Sequence, residues 1–204
     1  AWTTYEEPDP HLKLTCRQVS PFIPGDYEAS SLPAGVFVWT IENTGTEAAT
    51  VGLMLTFQNG TGGDNDREGG HHNAAFTADG ARGVLLHHQY RQGKAVSEGQ
   101  SLDEQEIIED PLTFAIAARE QPGVDITYRA RFLTNSSGMD VWTDFAGDGR
   151  LDSHDDPRPA NEEMTIGAAL CATVTVPAGE SREVAFALAW DMPIARFGSG
   201  RGWY

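Results

Sequence analysis

Short runs of apolar and β-branched residues, each followed by Gly, Pro, Asn or Asp, recur along this chain and constrain its fold more than any other feature. These runs lie at residues 36–43, 51–58, 82–89, 112–119, 124–132, 166–176 and 183–191. Side chains alternate along a strand, so the last run places large side chains on one face and alanines on the other. So many short strands, with no convincing long helix, predict an antiparallel all-β sandwich.

Two connections between these runs have the composition of tight turns. Asn43-Thr44-Gly45 follows the first run, and Pro177 to Ser181 joins the last two. Such short polar connections are typical of hairpins, so the sequence predicts two antiparallel hairpins, 36–43 with 51–58 and 166–176 with 183–191. The large face of the final run should enter the core, with Trp190 buried where the strand ends.

Three longer connections interrupt the strand pattern, at residues 59–75, 89–111 and 134–164. Loops of this length in a compact domain are usually functional or mobile. Within the second loop, residues 97–110 suit either a short helix or a disordered acidic connection. The glycine-rich stretch 60–70 lacks the Gly-Lys-Ser/Thr ending of a phosphate-binding loop, so the sequence favours a flexible loop there.

The composition restricts the class of partner. The chain has 204 residues, of which 40% are hydrophobic, so it can bury a globular core. It has 14 basic and 30 acidic residues, a net charge of −16, which argues against a nucleic-acid partner. No apolar run is long enough to span a bilayer, and no signal region is visible. Because the chain lacks an initiator Met and ends at GRGWY, we expect it to be part of a longer polypeptide.

Two cysteines, Cys16 and Cys171, both lie in strand-like apolar stretches. Sequence alone cannot establish their pairing. The sequence favours two buried reduced thiols, with a disulfide as the alternative.

Two histidine pairs, His71-His72 and His87-His88, suggest a zinc site. Adjacent residues on a strand point to opposite faces, so His87 and His88 cannot readily share one ion, and we predict structural histidines and no metal. No Gly-x-Ser-x-Gly elbow is present, and spacing selects no pair of carboxylates for glycoside chemistry. The residues by themselves therefore identify no catalytic site.

Aspartates recur in DFAGDGRLDSHD, residues 144–155, with nearly the spacing of a calcium-binding loop. The four are Asp144, Asp148, Asp152 and Asp155. Ala146 occupies a ligand position, the twelfth position is Asp rather than Glu, and neither flank reads as a helix. The favoured interpretation is that Asp and Gly form turns here through hydrogen bonds, and calcium binding is the minor alternative.

The segments TCRQVSPFIPGDYEASSLPAGVFVWTIENTG (15–45) and AFALAWDMPIARFG (187–198) closely resemble the N-terminal domain of the non-lysosomal glucosylceramidases, or bile-acid β-glucosidases, of glycoside hydrolase family 116. Between them, in order, lie FQNGTGG, GGHHNAAF, RGVLLHH, LTFAIAAR and VWTDFAGDGRLDS. The resemblance implies one supersandwich-like β-sandwich domain over residues 1–204, incomplete at its N-terminal end and with unpaired edges. An (α/α)6 catalytic domain is expected C-terminal to it and is absent from this chain.

The resemblance also implies a function for the parent protein, a retaining hydrolase of β-glucosides such as glucosylceramide. Its nucleophile and acid/base belong to the helical domain, so this chain is expected to have no catalytic residue, no cofactor and no metal, and its substrate-binding residues are unknown. The expected partners are the catalytic domain and the glucoside. The parent is expected in the cytoplasm, with peripheral membrane association left open.

The resemblance gives roles to several further residues. Trp142 is expected to bury its ring and anchor the loop that follows, while Asp144 and Asp148 brace the backbone around Gly149.

The alternative function is an autonomous carbohydrate-binding module whose exposed indoles stack on sugars, with Trp39, Trp142, Trp190 and Trp203 as candidates. For Trp39 and Trp190 the strand pattern favours a place in the core.

Overall fold

The computed structural model describes residues 1–93, 107–197 and 200–203, which are mostly strand. The strands are β1 (Trp2–Glu6), β2 (Leu12–Val19), β3 (Ala34–Asn43), β4 (Ala49–Gln58), β5 (His72–Ala78), β6 (Ala81–Gly93), β7 (Ile107–Arg119), β8 (Val124–Leu133), β9 (Ile166–Val176), β10 (Ser181–Asp191), β11 (Ile194–Phe197) and β12 (Gly200–Trp203). Two helices, α1 (Tyr27–Ser30) and α2 (Met139–Asp148), and a 3₁₀ turn at Asp64–Arg67 interrupt them.

Two antiparallel sheets pack face to face. The larger has the order β1-β2-β3-β10-β7-β6-β5, the smaller has the order β4-β9-β8, and β11 and β12 form a separate ribbon. Fully buried aliphatic side chains from both sheets, such as Ile41, Val84, Ile116 and Leu170, fill the space between them. The prediction of an all-β antiparallel sandwich is confirmed.

All seven runs predicted as strands are strands, but both predicted hairpins are wrong. β3 belongs to the large sheet and pairs with β2 and β10, whereas β4 pairs with β9 in the small sheet. Likewise β9 and β10 lie in different sheets. The short polar connections do reverse the chain, but they carry it from one sheet to the other, so the successive strands face each other across the core.

The prediction of a loop over residues 134–164 is wrong in part, because α2 lies within it. Glycines in the left-handed conformation flank α2, Gly138 (φ 67°) before it and Gly149 (φ 73°) after it. The helix covers the outer face of β9, where Ala169 and Cys171 are small enough to let Val141 pack closely. Strand β9 is therefore buried on both faces.

The turn after α2 reaches the small sheet only because β4 has a glycine beneath it. A Cβ at Gly52 would collide with the carbonyl oxygen of Gly149. That oxygen accepts hydrogen bonds from Thr173 Oγ1 (2.7 Å) and Cys171 Sγ (3.2 Å).

We therefore expect Gly52→Ala to displace the end of α2 and lower the free energy of unfolding by about 1–2 kcal/mol. The matched control is Gly35→Ala on β3, where an added Cβ meets nothing within 4 Å and stability should hardly change. Urea unfolding of the two variants measures the difference, and equal midpoints would contradict the role given to Gly52.

The two edges of the small sheet differ. The backbone around His154 borders β8, because Ala130 N donates to His154 O and His154 N to Tyr128 O. Within the described residues, β4 has no hydrogen-bonded neighbour on the side away from β9. A cavity of about 300 Å³ lies beside it, lined by Leu53 and Leu55 and by the stacked rings of Tyr5 and Trp39. Unpaired edges are what the resemblance to the family implies.

Both described ends of the connection predicted as a loop, residues 89–93 and 107–111, are strand. β6 continues to Gly93 and pairs with β7 from Ile107, so the two strands form a ribbon that extends past the rest of the sheet. Residues 97–106 of the stretch predicted as helix or acidic connection lie outside the described residues. Among the described helices, none has the length and apolar character needed to cross a bilayer.

Candidate functional site

The two ends of the sandwich carry different kinds of connection. At one end the strands are joined by tight turns, at residues 7–11, 44–48, 79–80, 120–123 and 177–180. At the other end, here called the long-connection end, lie residues 20–33, 59–71, 134–165 and the joined ends of β6 and β7. Long connections on a rigid scaffold are where binding surfaces usually form, so this end is the candidate site.

The loop between β4 and β5 is folded around one carboxylate. The buried Asp66 accepts from Thr61 N (2.7 Å) and Gly62 N (2.9 Å), and its second oxygen also accepts from Gln58 Nε2 (3.1 Å). Gly70 N donates to Ala160 O at 2.8 Å, which ties this loop to the 134–165 connection. The flexible loop favoured from the sequence is thus a structured one, because a single acid accepts hydrogen bonds from two of its backbone N–H groups.

Two fully buried asparagines lie beneath this loop and join the two sheets. Asn73 Nδ2 donates to Ala130 O (2.7 Å) and Gly167 O (3.1 Å), both on the small sheet, although Asn73 belongs to the large one. Its Oδ1 accepts from Asn59 Nδ2 at 2.9 Å.

The two histidine pairs come together across β5 and β6. His71 stacks on His88 with ring centroids 4.1 Å apart, and His72 stacks on His87 at 4.7 Å. His87 is half-buried and His88 is buried on the opposite side of the strand, as predicted. Within the described part of the chain, no three His, Cys, Asp or Glu side chains meet in a group that could hold a metal ion.

His88 is held in a neutral state. Burial, and next the neighbouring His71, lower the pKa of His88 to about 4. Asp66 Oδ1 lies 3.7 Å from His88 Nε2 and acts in the opposite direction, but burial dominates. Neither ring nitrogen of His88 has a hydrogen-bond partner among the described residues. Burial also lowers the pKa of His87, with His72 adding to the effect.

The aspartates of the predicted calcium-like loop have separate partners. Asp144 and Asp148 belong to α2, where Asp144 Oδ2 accepts from Asp152 N (3.1 Å) and Asp148 Oδ1 from Arg150 N (3.0 Å). The prediction that these two acids brace the backbone around Gly149 is confirmed. Asp155 accepts a hydrogen bond from the Tyr128 side chain. A helix that contains the first positions of the motif leaves no calcium-binding loop.

Asp156 fixes the segment that runs from α2 to β9. The guanidinium of Arg158 donates to both carboxylate oxygens, each at 2.7 Å, and Arg131 Nη1 on β8 lies 3.5 Å away. These contacts, the Arg158 hydrogen bonds first, hold the pKa of Asp156 well below its usual range. The carboxylate therefore stays charged and clamps this segment to the small sheet.

The tryptophans do not all lie where the sequence predicted. The ring of Trp142 is 55% exposed on the outer side of α2, so the prediction that it is buried is wrong. Trp190 is 38% exposed, so the prediction that it lies in the core is also wrong; Val184 and Phe186 of the same face are buried as expected. Trp39 is half-buried against Tyr5. For Trp203 only the strand is described.

Both cysteines are free and buried, as predicted. Burial raises the pKa of Cys16 and of Cys171, which keeps both thiols protonated and unreactive at neutral pH.

Sequence reasoning missed Asn59, Asp66 and Asn73, although they lie in the motifs FQNGTGG and GGHHNAAF. One signal was available, because a polar amide directly after or within an apolar strand is costly to bury unless it is hydrogen bonded. Strand β5, which carries Asn73, was not predicted, and its first four residues fall inside the predicted loop 59–75.

The fold and the long-connection end define a two-layered antiparallel β-sandwich domain. The whole chain, residues 1–204, matches the family model described as beta-glucosidase 2, glycosyl-hydrolase family 116 N-term. The chain belongs to this family. It is therefore a domain of a larger glycoside hydrolase, which also has a catalytic domain and acts on a glycoside.

Proposed function

We propose that this chain is the non-catalytic N-terminal domain of a retaining β-glucosidase that hydrolyses β-glucosides such as glucosylceramide. Its match to the N-terminal family model over residues 1–204 is the observation that carries the proposal. The buried polar groups of the candidate site agree with it, because Asn59, Asp66 and Asn73 are engaged in hydrogen bonds that hold the loops and sheets together. In this proposal the nucleophile and the acid/base come from the helical catalytic domain.

The proposal gives the loop held by Asp66 a role in substrate access. Thr61 to Asp64 are exposed at its tip, while Asp66 beneath them is buried. A tip on a rigid base can border a substrate entrance at a fixed position without contributing a reacting group.

The test compares the 204-residue chain with the full-length polypeptide on an aryl β-glucoside and on glucosylceramide in vesicles. We expect no hydrolysis by the chain alone, and hydrolysis by the full-length polypeptide with the β-anomer of glucose released first, as NMR would show. Turnover by the chain alone would contradict the non-catalytic role. If the full-length polypeptide hydrolyses the aryl glucoside but not glucosylceramide, only the proposal of a lipid substrate is contradicted.

We also propose that the parent enzyme is cytoplasmic and associates peripherally with membranes, since glucosylceramide is a membrane lipid. Fractionation of cells that produce the full-length polypeptide checks this. Recovery in a secreted or luminal fraction would contradict it.

A further inference from the structure

Large apolar side chains are exposed together at the long-connection end, close to the end of β10. We call them the end patch: Phe22, Ile23, Tyr27, Leu32, Trp190 and Met192. Phe22 and Tyr27 are 83% and 85% exposed. The tight turns at the opposite end carry none of the large hydrophobic side chains that are exposed in the described part of the chain.

The segment that displays most of the patch is held in place by hydrogen bonds. Ile23 N donates to Ser30 Oγ (2.8 Å), and Asp26 Oδ1 accepts from Ala29 N (2.9 Å) at the start of α1. Trp190 N donates to Pro33 O at 3.0 Å, which joins the segment to the last residues of β10. These hydrogen bonds hold the segment in a conformation that leaves its large apolar side chains exposed.

The size of the patch indicates a covered surface. An aromatic side chain carries about 150–250 Å² of surface, so Phe22 and Tyr27 alone expose roughly 300 Å². Soluble monomers rarely leave larger contiguous apolar patches uncovered, and the other four side chains extend this one. Contacts between domains of one chain bury about 600–1,500 Å² in total, and the six side chains could supply much of one side of such a contact.

We propose that the end patch is the surface on which the catalytic domain of the same polypeptide docks. This inference rests on the proposed function. The family description makes this chain the N-terminal part of a glycosidase, so the catalytic domain follows it in sequence. Strand β10, the last long strand, leaves the sandwich at the long-connection end, beside the patch. The docked domain would then lie at the same end of the sandwich as the loop that Asp66 holds.

Hydroxyl-radical footprinting of the full-length polypeptide tests the inference without an activity readout. We expect Phe22 and Tyr27 to be modified roughly tenfold more slowly than in the unfolded polypeptide, because covering a side chain removes most of its reactive surface. Modification of both at the unfolded rate would overturn the proposal. Protection that disappears on dilution would indicate a second copy as the occupant and would also overturn it.

Charge substitutions in the full-length polypeptide sharpen the test. Phe22→Asp should raise the modification rate of Tyr27 several-fold by weakening the docked state, whereas Phe22→Leu should not. Ala178→Asp, on an exposed turn at the opposite end, is the matched control and should leave Tyr27 protected. An equal effect of Phe22→Asp and Ala178→Asp would overturn the proposal.

Different results would contradict the proposed function and the docking surface. Full protection of Phe22 and Tyr27 in a polypeptide that does not hydrolyse β-glucosides would contradict the proposed function and support the docking surface. Hydrolysis with both side chains unprotected would contradict the docking surface alone.

Discussion

Asn73→Ala is expected to lower the free energy of unfolding by about 4 kcal/mol. The side chain donates to Ala130 O and Gly167 O in the opposite sheet, and its removal takes a donor away from each of these carbonyls. A buried acceptor left unpaired costs about 1–3 kcal/mol, and the small cavity adds to the loss. Urea unfolding followed by circular dichroism measures the change.

Two further variants separate the causes. Asn73→Leu keeps most of the volume but supplies no donor, so it should lose nearly as much stability as the alanine variant if hydrogen bonding dominates. Asn135→Ala removes one exposed hydrogen bond, to Glu163 O, and should cost under about 0.5 kcal/mol. A loss of less than about 1 kcal/mol in Asn73→Leu would contradict the role given to the amide.

The strands could be predicted from the sequence, whereas their pairing could not. Alternation and turn residues are local signals, and each of the seven runs is a strand. A short polar connection fits a hairpin within one sheet and a crossing between two sheets equally well. The pairing of β3 with β10 depends instead on distant residues, with Val184 opposite Trp39.

Helix α2 was missed because its residues are poor helix formers by local propensity. Val141, Thr143 and Gly147 all disfavour a helix. Packing of Val141 and Phe145 on the small residues of β9 outweighs these preferences, and that surface is built from residues distant in sequence. The same helix explains why Asp144 and Asp148 do not form part of a metal-binding loop.

The candidate site could be predicted only in part. Strand geometry predicts that His87 and His88 lie on opposite faces, and they do so in the structure. Stacking of His71 on His88 requires the register of β5 with β6, and β5 was not predicted as a strand. Trp190 was placed in the core because it continues the face of Phe186, but its side chain at the end of β10 is 38% exposed.

His88 should make the chain less stable in mild acid. Its pKa falls from the ordinary value of 6.5 to about 4 on folding, so the unfolded chain binds the extra proton between these values. The contribution of neutral His88 to the free energy of unfolding is fully present above pH 6.5 and is lost as the pH falls through 6.5 towards 4. The loss should be about 3 kcal/mol in all, and about 2 kcal/mol between about pH 7 and about pH 5. Unfolding in urea at a series of pH values measures it.

The groups around His88 explain why the ring resists protonation although an acid lies nearby. His71 stacks on one face and Phe114 on β7 presents its ring edge-on. Asp66 and the Asn59 backbone favour the charged form, but burial outweighs both. His88→Gln has a similar volume and no ionisable group. It should reduce the fall in the free energy of unfolding between about pH 7 and about pH 5 by about 2 kcal/mol. His154→Gln, on an exposed residue, is the matched control and should keep the slope of the original chain. Equal slopes for His88→Gln and the original chain would show that the acid sensitivity arises elsewhere.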